Sequence, residues 1–92
     1  QELTYLDVSE NQLVKLPNEV CKLTKLTTLR ASMNKLENMD SLVDFREMQA
    51  LEELILDHNR LKVVHPAIGF LSVLKVIDLS YNQIVSPPKQ IG

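Results

Sequence analysis

The chain has 92 residues and a formal net charge of −2, and 45% of its residues are hydrophobic. This apolar share is typical of a globular chain, and the near-neutral charge provides no general basic field for nucleic acid. No apolar run reaches the roughly 18 residues that a membrane span needs, and no signal peptide is visible at the N-terminus. The single cysteine, Cys21, cannot form an internal disulfide, which favours a reducing, cytoplasmic location.

The first predicted element is a short strand near the start of the chain. In LTYLDVSENQL (3–13), Leu6 and Val8 lie two residues apart, so their side chains share one face of an extended segment. Asn11 follows, and asparagine suits a tight turn because its side chain bonds backbone groups. The pattern therefore predicts a strand that ends in an asparagine turn.

The next segment is predicted to return along the opposite side of the molecule. In NEVCKLTKL (18–26), Val20, Leu23 and Leu26 recur at intervals of three, which suits a short 3₁₀ or loosely helical turn. These apolar side chains are expected to face the core, and the polar residues between them are expected to face water. Cys21, beside Val20, is expected to be partly buried.

The same pattern then returns along the rest of the chain. Its asparagines are Asn11, Asn34, Asn59 and Asn82, at spacings of 23, 25 and 23 residues. An apolar triplet precedes each asparagine, and another apolar residue follows it two positions later. Stacked coils would align the strands as a parallel sheet and the asparagines as a ladder that satisfies buried turn amides.

The interval between Asn34 and Asn59 differs from the others by two extra residues. Its segment DSLVDFREMQALEEL (40–54) contains no glycine or proline and begins with Asp40 and Ser41, either of which can cap a helix. We predict a longer helix here on the outer side of the coil, with Phe45 inserted in the core.

These repeats resemble the leucine-rich repeat proteins, and the resemblance covers the whole chain. The 23-residue spacing and the Leu-Pro of KLP (15–17) are most similar to the intracellular class of Ras-interacting scaffolds and of Scribble- and Erbin-type polarity scaffolds. The resemblance implies an α/β leucine-rich repeat solenoid, with a curved parallel β-sheet on the concave side and short helical or 3₁₀ segments on the convex side. It also implies a protein–protein interaction scaffold.

Residues 1–92 are expected to form a single array of about four coils. Neither end carries the polar cap that a solenoid needs, so the segment is predicted to be part of a longer array.

The candidate binding surface consists of the outward strand positions on the concave side. Six of the twelve acids fall on these positions, but only two of the ten bases do. We therefore expect a protein partner with a basic patch, anchored on an exposed aromatic residue. Small GTPases are a partner class of similar repeat proteins, although no residue here selects them. The candidate contact residues are Tyr5, Asp7, Arg30, Glu53, Ile55, Asp57, His58, Asp78 and Tyr81.

No pattern supports catalysis, a cofactor or a metal. Asp57 and His58 are adjacent, but neighbouring strand residues point to opposite faces unless the strand has already ended. No nucleophile pattern joins them, so His58 is interpreted as a surface histidine. His65 occupies a turn position and is expected to be exposed. Cys21 and the two histidines lie in different parts of the coil, so no metal site is expected. The alternative function is a structural spacer or building block in a large ciliary or cytoskeletal assembly.

Overall fold

The computed structural model describes residues 3–40 and 47–84. Within these ranges the chain forms four strands of three residues each, all parallel in one sheet. Equivalent residues of successive repeats stand beside one another, because each strand pairs in register with the next. The predicted parallel-sheet solenoid is confirmed. The strands are β1 (Tyr5–Asp7), β2 (Thr28–Arg30), β3 (Glu53–Ile55) and β4 (Val76–Asp78), in that order across the sheet.

The core lies behind the sheet and is built from rows of equivalent apolar residues. The central residue of each strand points inward, because side chains alternate along an extended segment. Leu29 and Leu54 are fully buried in this row. Leu6 and Ile77 continue the row on either side and pack half-buried against the same cluster.

A 3₁₀ helix, η1 (Asn18–Lys22), forms the predicted return segment after the first turn. It buries Val20 and Cys21 and leaves the polar residues of the segment exposed, as the spacing of three predicts. Cys21 is only 3% exposed, so it is more deeply buried than expected.

A second 3₁₀ helix, η2 (Pro66–Phe70), occupies the equivalent place before β4. Pro66 stands in its first turn, where the missing N–H removes no hydrogen bond. The His65 Nδ1 accepts a hydrogen bond from the Ala67 backbone N–H at 3.0 Å. His65 is therefore a half-buried capping residue, and the prediction that it is exposed was wrong.

The asparagines form the predicted ladder between coils. Asn59 is 7% exposed, and its Nδ2 donates to the Ala31 carbonyl of the preceding coil and to the Leu56 carbonyl of its own coil, each at 3.0 Å. Its Oδ1 accepts the Leu36 backbone N–H at 3.1 Å. Asn34 and Asn82 make the equivalent bonds. Within residues 3–40 and 47–84, every buried side-chain nitrogen and oxygen has a hydrogen-bond partner.

The prediction of a helix over 40–54 was wrong in its C-terminal part. Gln49 and Ala50 form a turn, and the chain is extended from Glu53 as strand β3. The physical reason is the repeat itself: Leu51, Leu54 and Leu56 must fill the same core rows as their equivalents, which only a strand achieves. The predicted position of Phe45 lies outside the described residues.

Candidate protein-binding surface

Two outward rows of side chains cover the open face of the sheet. The register aligns Tyr5, Thr28, Glu53 and Val76 in one row and Asp7, Arg30, Ile55 and Asp78 in the other. Both rows point away from the core, since their members flank the inward residue of each strand. The second row lies along a shallow depression in the face.

A third row follows where the strands end. Glu10, Met33, His58 and Tyr81, called the ridge below, immediately precede the four asparagines and all adopt φ between 56° and 59°. This left-handed conformation is uncommon for residues other than glycine and asparagine. Hydrogen bonds between coils hold it: the His58 N–H donates to the Ser80 carbonyl at 3.0 Å, and the Met33 N–H donates to the Asp57 carbonyl at 3.0 Å.

The ridge carries an aromatic stack. The rings of His58 and Tyr81 lie with their centroids 4.4 Å apart and their planes 15° from parallel. Tyr81 remains 75% exposed, so the stack leaves most of its area available to a partner. Tyr81 is thus an exposed aromatic on this side of the molecule, which is what the sequence analysis expects of an anchor.

Asp57 is held in place by the residues around it. Its Oδ1 accepts the Ser32 hydroxyl at 2.5 Å, and its Oδ2 lies 2.7 Å from His58 Nδ1. The Ser32 hydrogen bond is the main reason that the pKa of Asp57 lies below its ordinary value, and His58 adds to the effect against the opposing cost of burial. The Asp57 carboxylate is therefore fixed in direction and charged at neutral pH.

Comparisons with known proteins agree with this arrangement. Two family models described as leucine-rich repeats match the chain, one over residues 2–23 and the other over residues 49–89. The chain belongs to the leucine-rich repeat proteins. Adenylate cyclase of Schizosaccharomyces pombe is 40% identical over 85 residues, a match that covers 91% of this chain and 5% of that protein. Bovine lumican is 39% identical over 90 residues, covering 96% of this chain and 25% of lumican.

A solved structure of a leucine-rich repeat relative has the same fold. An internalin of Listeria monocytogenes superposes with a TM-score of 0.80 at 29% identity, over 98% of this chain and 25% of that one. The present chain thus spans about a quarter or less of the length of these three proteins.

Ile55 departs from the predicted surface of the repeat array. It is one of the candidate contact residues at the outward strand positions, which implies exposure, but it is only 9% exposed. It occupies the outward row between Arg30 and Asp78, and neighbours on both sides cover a side chain in the middle of a sheet. Ile55 therefore forms the floor of the depression rather than a projecting contact.

Basic residues neutralise part of the acidic surface. Arg30 Nε lies 4.0 Å from Asp7 Oδ2, and Lys75 Nζ lies 3.6 Å from Glu52 Oε1. The pKa of Asp7 lies below its ordinary value, chiefly because the Ser9 hydroxyl and N–H hydrogen-bond to it, with a smaller contribution from Arg30. Both pairs are partly exposed to solvent, so each adds little to stability.

The structure brings most of the candidate residues together. Asp7, Arg30, Ile55, Asp57 and Asp78 line one depression, and His58 and Tyr81 stack on the ridge. Tyr5 and Glu53 belong to the first outward row and do not line that depression.

Sequence reasoning missed two features of this surface. It placed Asp57 and His58 on opposite faces unless the strand had already ended. Strand β3 does end at Ile55, and with the positive φ of His58 the two side chains come into contact. It also missed Ser32 as the partner of Asp57. The signal was present, because Ser9, Ser32 and Ser80 occupy the position equivalent to Asp57 in the other coils.

This cluster does not have the arrangement of a nucleophilic catalyst. The Ser32 hydroxyl donates to Asp57 and not to His58, so the imidazole is not placed to accept its proton. In residues 3–40 and 47–84, no group of three or more His, Cys, Asp or Glu side chains is arranged to hold a metal ion. Those ranges also contain no helix of sufficient length and hydropathy to cross a membrane.

Proposed function

We propose that this repeat array binds another protein through the concave face of its sheet and the adjoining ridge. Leucine-rich repeat domains generally mediate protein–protein interaction, and the exposed aromatic residues carry the argument here. Tyr5 and Tyr81 are 53% and 75% exposed on this side, so neither contributes most of its area to the core. Aromatic side chains of this kind are typical anchors of protein interfaces.

The partner presents a basic patch to this face. Arg30 and Lys75 are already paired with Asp7 and Glu52. Among the described residues, no basic side chain lies within ion-pair distance of Glu10, Glu53 or Asp78. These carboxylates leave a net negative field that steers a cationic partner and raises its association rate.

The proposal also includes the intracellular 23-residue class and a cytoplasmic location. The spacing of the asparagines, the Leu16-Pro17 pair and the single cysteine support both. A partner from a signalling or assembly complex, such as a small GTPase, fits the same proposal.

The test is an affinity purification with charge-reversed variants of the full chain. Glu53→Lys combined with Asp78→Lys reverses the charge at two outward positions of the sheet and leaves Asp57 untouched. It also removes the two hydrogen bonds that Asp78 Oδ1 accepts from Ser80. The matched control, Glu19→Lys combined with Glu47→Lys, makes the same change in net charge on exposed convex positions. A concave-face partner is lost by the first variant and kept by the control.

Two other results would contradict the proposal. If the control loses the partner while the sheet variant keeps it, the convex surface binds. If both variants keep every partner, the alternative of a structural spacer is favoured. For a partner that is recovered, association rates at two salt concentrations then check the steering: the sheet variant shows the slower rate and the weaker salt dependence.

A further inference from the structure

The ridge is not explained by the needs of the fold. Glycine and asparagine adopt its left-handed backbone conformation at the lowest cost in free energy, yet the four positions hold Glu10, Met33, His58 and Tyr81. Met33 and Tyr81 are at least half exposed, so core burial does not offset the conformational cost. We therefore look for the role of these large side chains on the surface, outside the core.

A basic edge lies directly beyond the ridge. It consists of Lys35, Arg60 and Lys62, all exposed, which follow Asn34 and Asn59 in the turns. Hydrogen bonds between coils stack these turns: the Lys35 N–H donates to the Leu13 carbonyl at 2.8 Å, and the Arg60 N–H donates to the Leu36 carbonyl at 2.9 Å.

The basic edge borders a depression of its own. Arg60 and Lys62 line it together with Glu37, Asn38 and Gln83. With Glu37 included, the edge still keeps an excess of positive charge. It is thus opposite in sign to the sheet on the other side of the ridge.

The charge therefore changes sign across the ridge within a few residues. In the third coil the order is Asp57, His58, Asn59 and Arg60, of which Asn59 is buried. The three that reach the surface are an acid, an aromatic and a base. The ridge side chains Glu10 and Met33 also border the acidic depression on the sheet, so the two surfaces are continuous.

We infer that the partner bound by the concave face is a protein segment of mixed charge, with basic groups on the sheet, an apolar part on the Met33–His58–Tyr81 ridge and acidic groups on the basic edge. This inference rests on the proposed function and narrows its partner. A uniformly basic segment would be repelled by the edge, and a nucleic acid would be repelled by the sheet. A segment with both charges is attracted at each place.

Three synthetic peptides test this inference against the full chain at low salt. One carries a lysine block, a short apolar spacer and a glutamate block, and the others are oligolysine and oligoglutamate of equal length. The edge variant is Lys35→Glu with Arg60→Glu, and the sheet variant is Glu53→Lys with Asp78→Lys. Matched controls on the convex side are Lys22→Glu with Lys25→Glu, and Glu19→Lys with Glu47→Lys.

The mixed-charge peptide is expected to bind tightest of the three, and both the edge and the sheet variant should weaken it by about tenfold or more. Oligolysine should bind the edge variant better than the unchanged chain. The convex controls should change the affinity for the mixed-charge peptide and for oligolysine by no more than about twofold.

Three outcomes overturn the inference and are separable. If the sheet variant weakens binding and the edge variant does not, the partner is simply basic, so the inference fails while the proposed function stands. If oligoglutamate binds tightest and only the edge variant matters, the edge is an anion site and both fail. The inference and the proposed function also fail if an oligonucleotide competes with the mixed-charge peptide and this competition depends only on the basic edge.

Discussion

The inward and outward rows of the same four strands show two kinds of sequence constraint. The inward row is Leu6, Leu29, Leu54 and Ile77, which are nearly identical in chemistry because each must fill the same space in the next layer. The outward row is Asp7, Arg30, Ile55 and Asp78, with an acid, a base and an aliphatic residue at equivalent positions. The backbone is the same for both rows. Packing behind the sheet therefore determines the residue type of the inward row. The outward row is not held to one residue type by that packing, so its residues are free to serve a partner.

The largest expected effect comes from the inward row. Leu54 is fully buried, and Leu54→Ala should lower the free energy of unfolding by about 2–5 kcal/mol through the cavity that it leaves. Its neighbour Glu53 is exposed on the same strand, so Glu53→Ala should change stability by less than about 0.5 kcal/mol. Urea denaturation of both variants measures the contrast. Similar losses in the two would mean that the outward row also supports the fold.

The asparagine ladder should give the next largest effect. Asn59→Ala removes four hydrogen bonds, including the buried ones to Ala31, Leu56 and Leu36, and should cost about 1–3 kcal/mol. Asn11 is exposed, so Asn11→Ala serves as a control with a smaller loss. Denaturation midpoints of the two variants test the order. An Asn59→Ala chain of unchanged stability that no longer binds a partner would refute the structural role of the ladder.

Much of the framework could be predicted from the sequence because it repeats. The strands, the asparagine turns and the return at 18–22 follow from periodic apolar positions, each of which has one physical reason. The C-terminal part of the helix over 40–54 was predicted wrongly, because local helix preference was considered without the requirement that Leu51 and Leu54 keep their rows. Local pattern and stacking compete there, and the described part shows that stacking prevails.

The candidate surface was less predictable because it depends on contacts between coils. The burial of Ile55 arises from neighbours 25 and 23 residues away. The Asp57–His58 contact depends on the positive φ of His58, which the sequence does not indicate because the residue is not a glycine. The Ser32–Asp57 hydrogen bond joins residues 25 apart. Such features need the register, which the sequence implies only after the coils are aligned.

The Ser32–Asp57 pair should give a smaller effect that depends on pH. Because the folded-state pKa of Asp57 is depressed, its contribution to stability is present above the unfolded pKa of about 3.9 and is lost as pH falls through the folded value. Ser32→Ala should cost about 1 kcal/mol at pH 7. The gap between variant and parent should narrow below about pH 4, as carboxylate charge is lost.

A second serine provides the control for this titration. The Ser72 hydroxyl donates to Gln49 Oε1 at 3.1 Å, and that acceptor carries no charge. The stability difference caused by Ser72→Ala should therefore keep the same size from pH 7 to pH 3. Thermal melts across this range compare the two variants. A Ser32→Ala gap that is equally constant would show that the hydrogen bond does not depend on the charge of Asp57.

The smallest expected effect lies on the ridge and has the opposite sign. Met33 has φ 56° and is 50% exposed, so its side chain bears a conformational cost with little burial in return. Met33→Asn places a residue that tolerates this conformation and should raise stability by about 0.5 kcal/mol. Thr28 has ordinary strand conformation on β2, so the control variant Thr28→Asn should instead lower stability. The same Met33→Asn chain should bind the mixed-charge peptide more weakly, because the apolar part of the ridge is lost. Loss of stability in Met33→Asn would show that Met33 packs for the fold, and the ridge would then belong with the inward rows rather than with the surface that meets a partner.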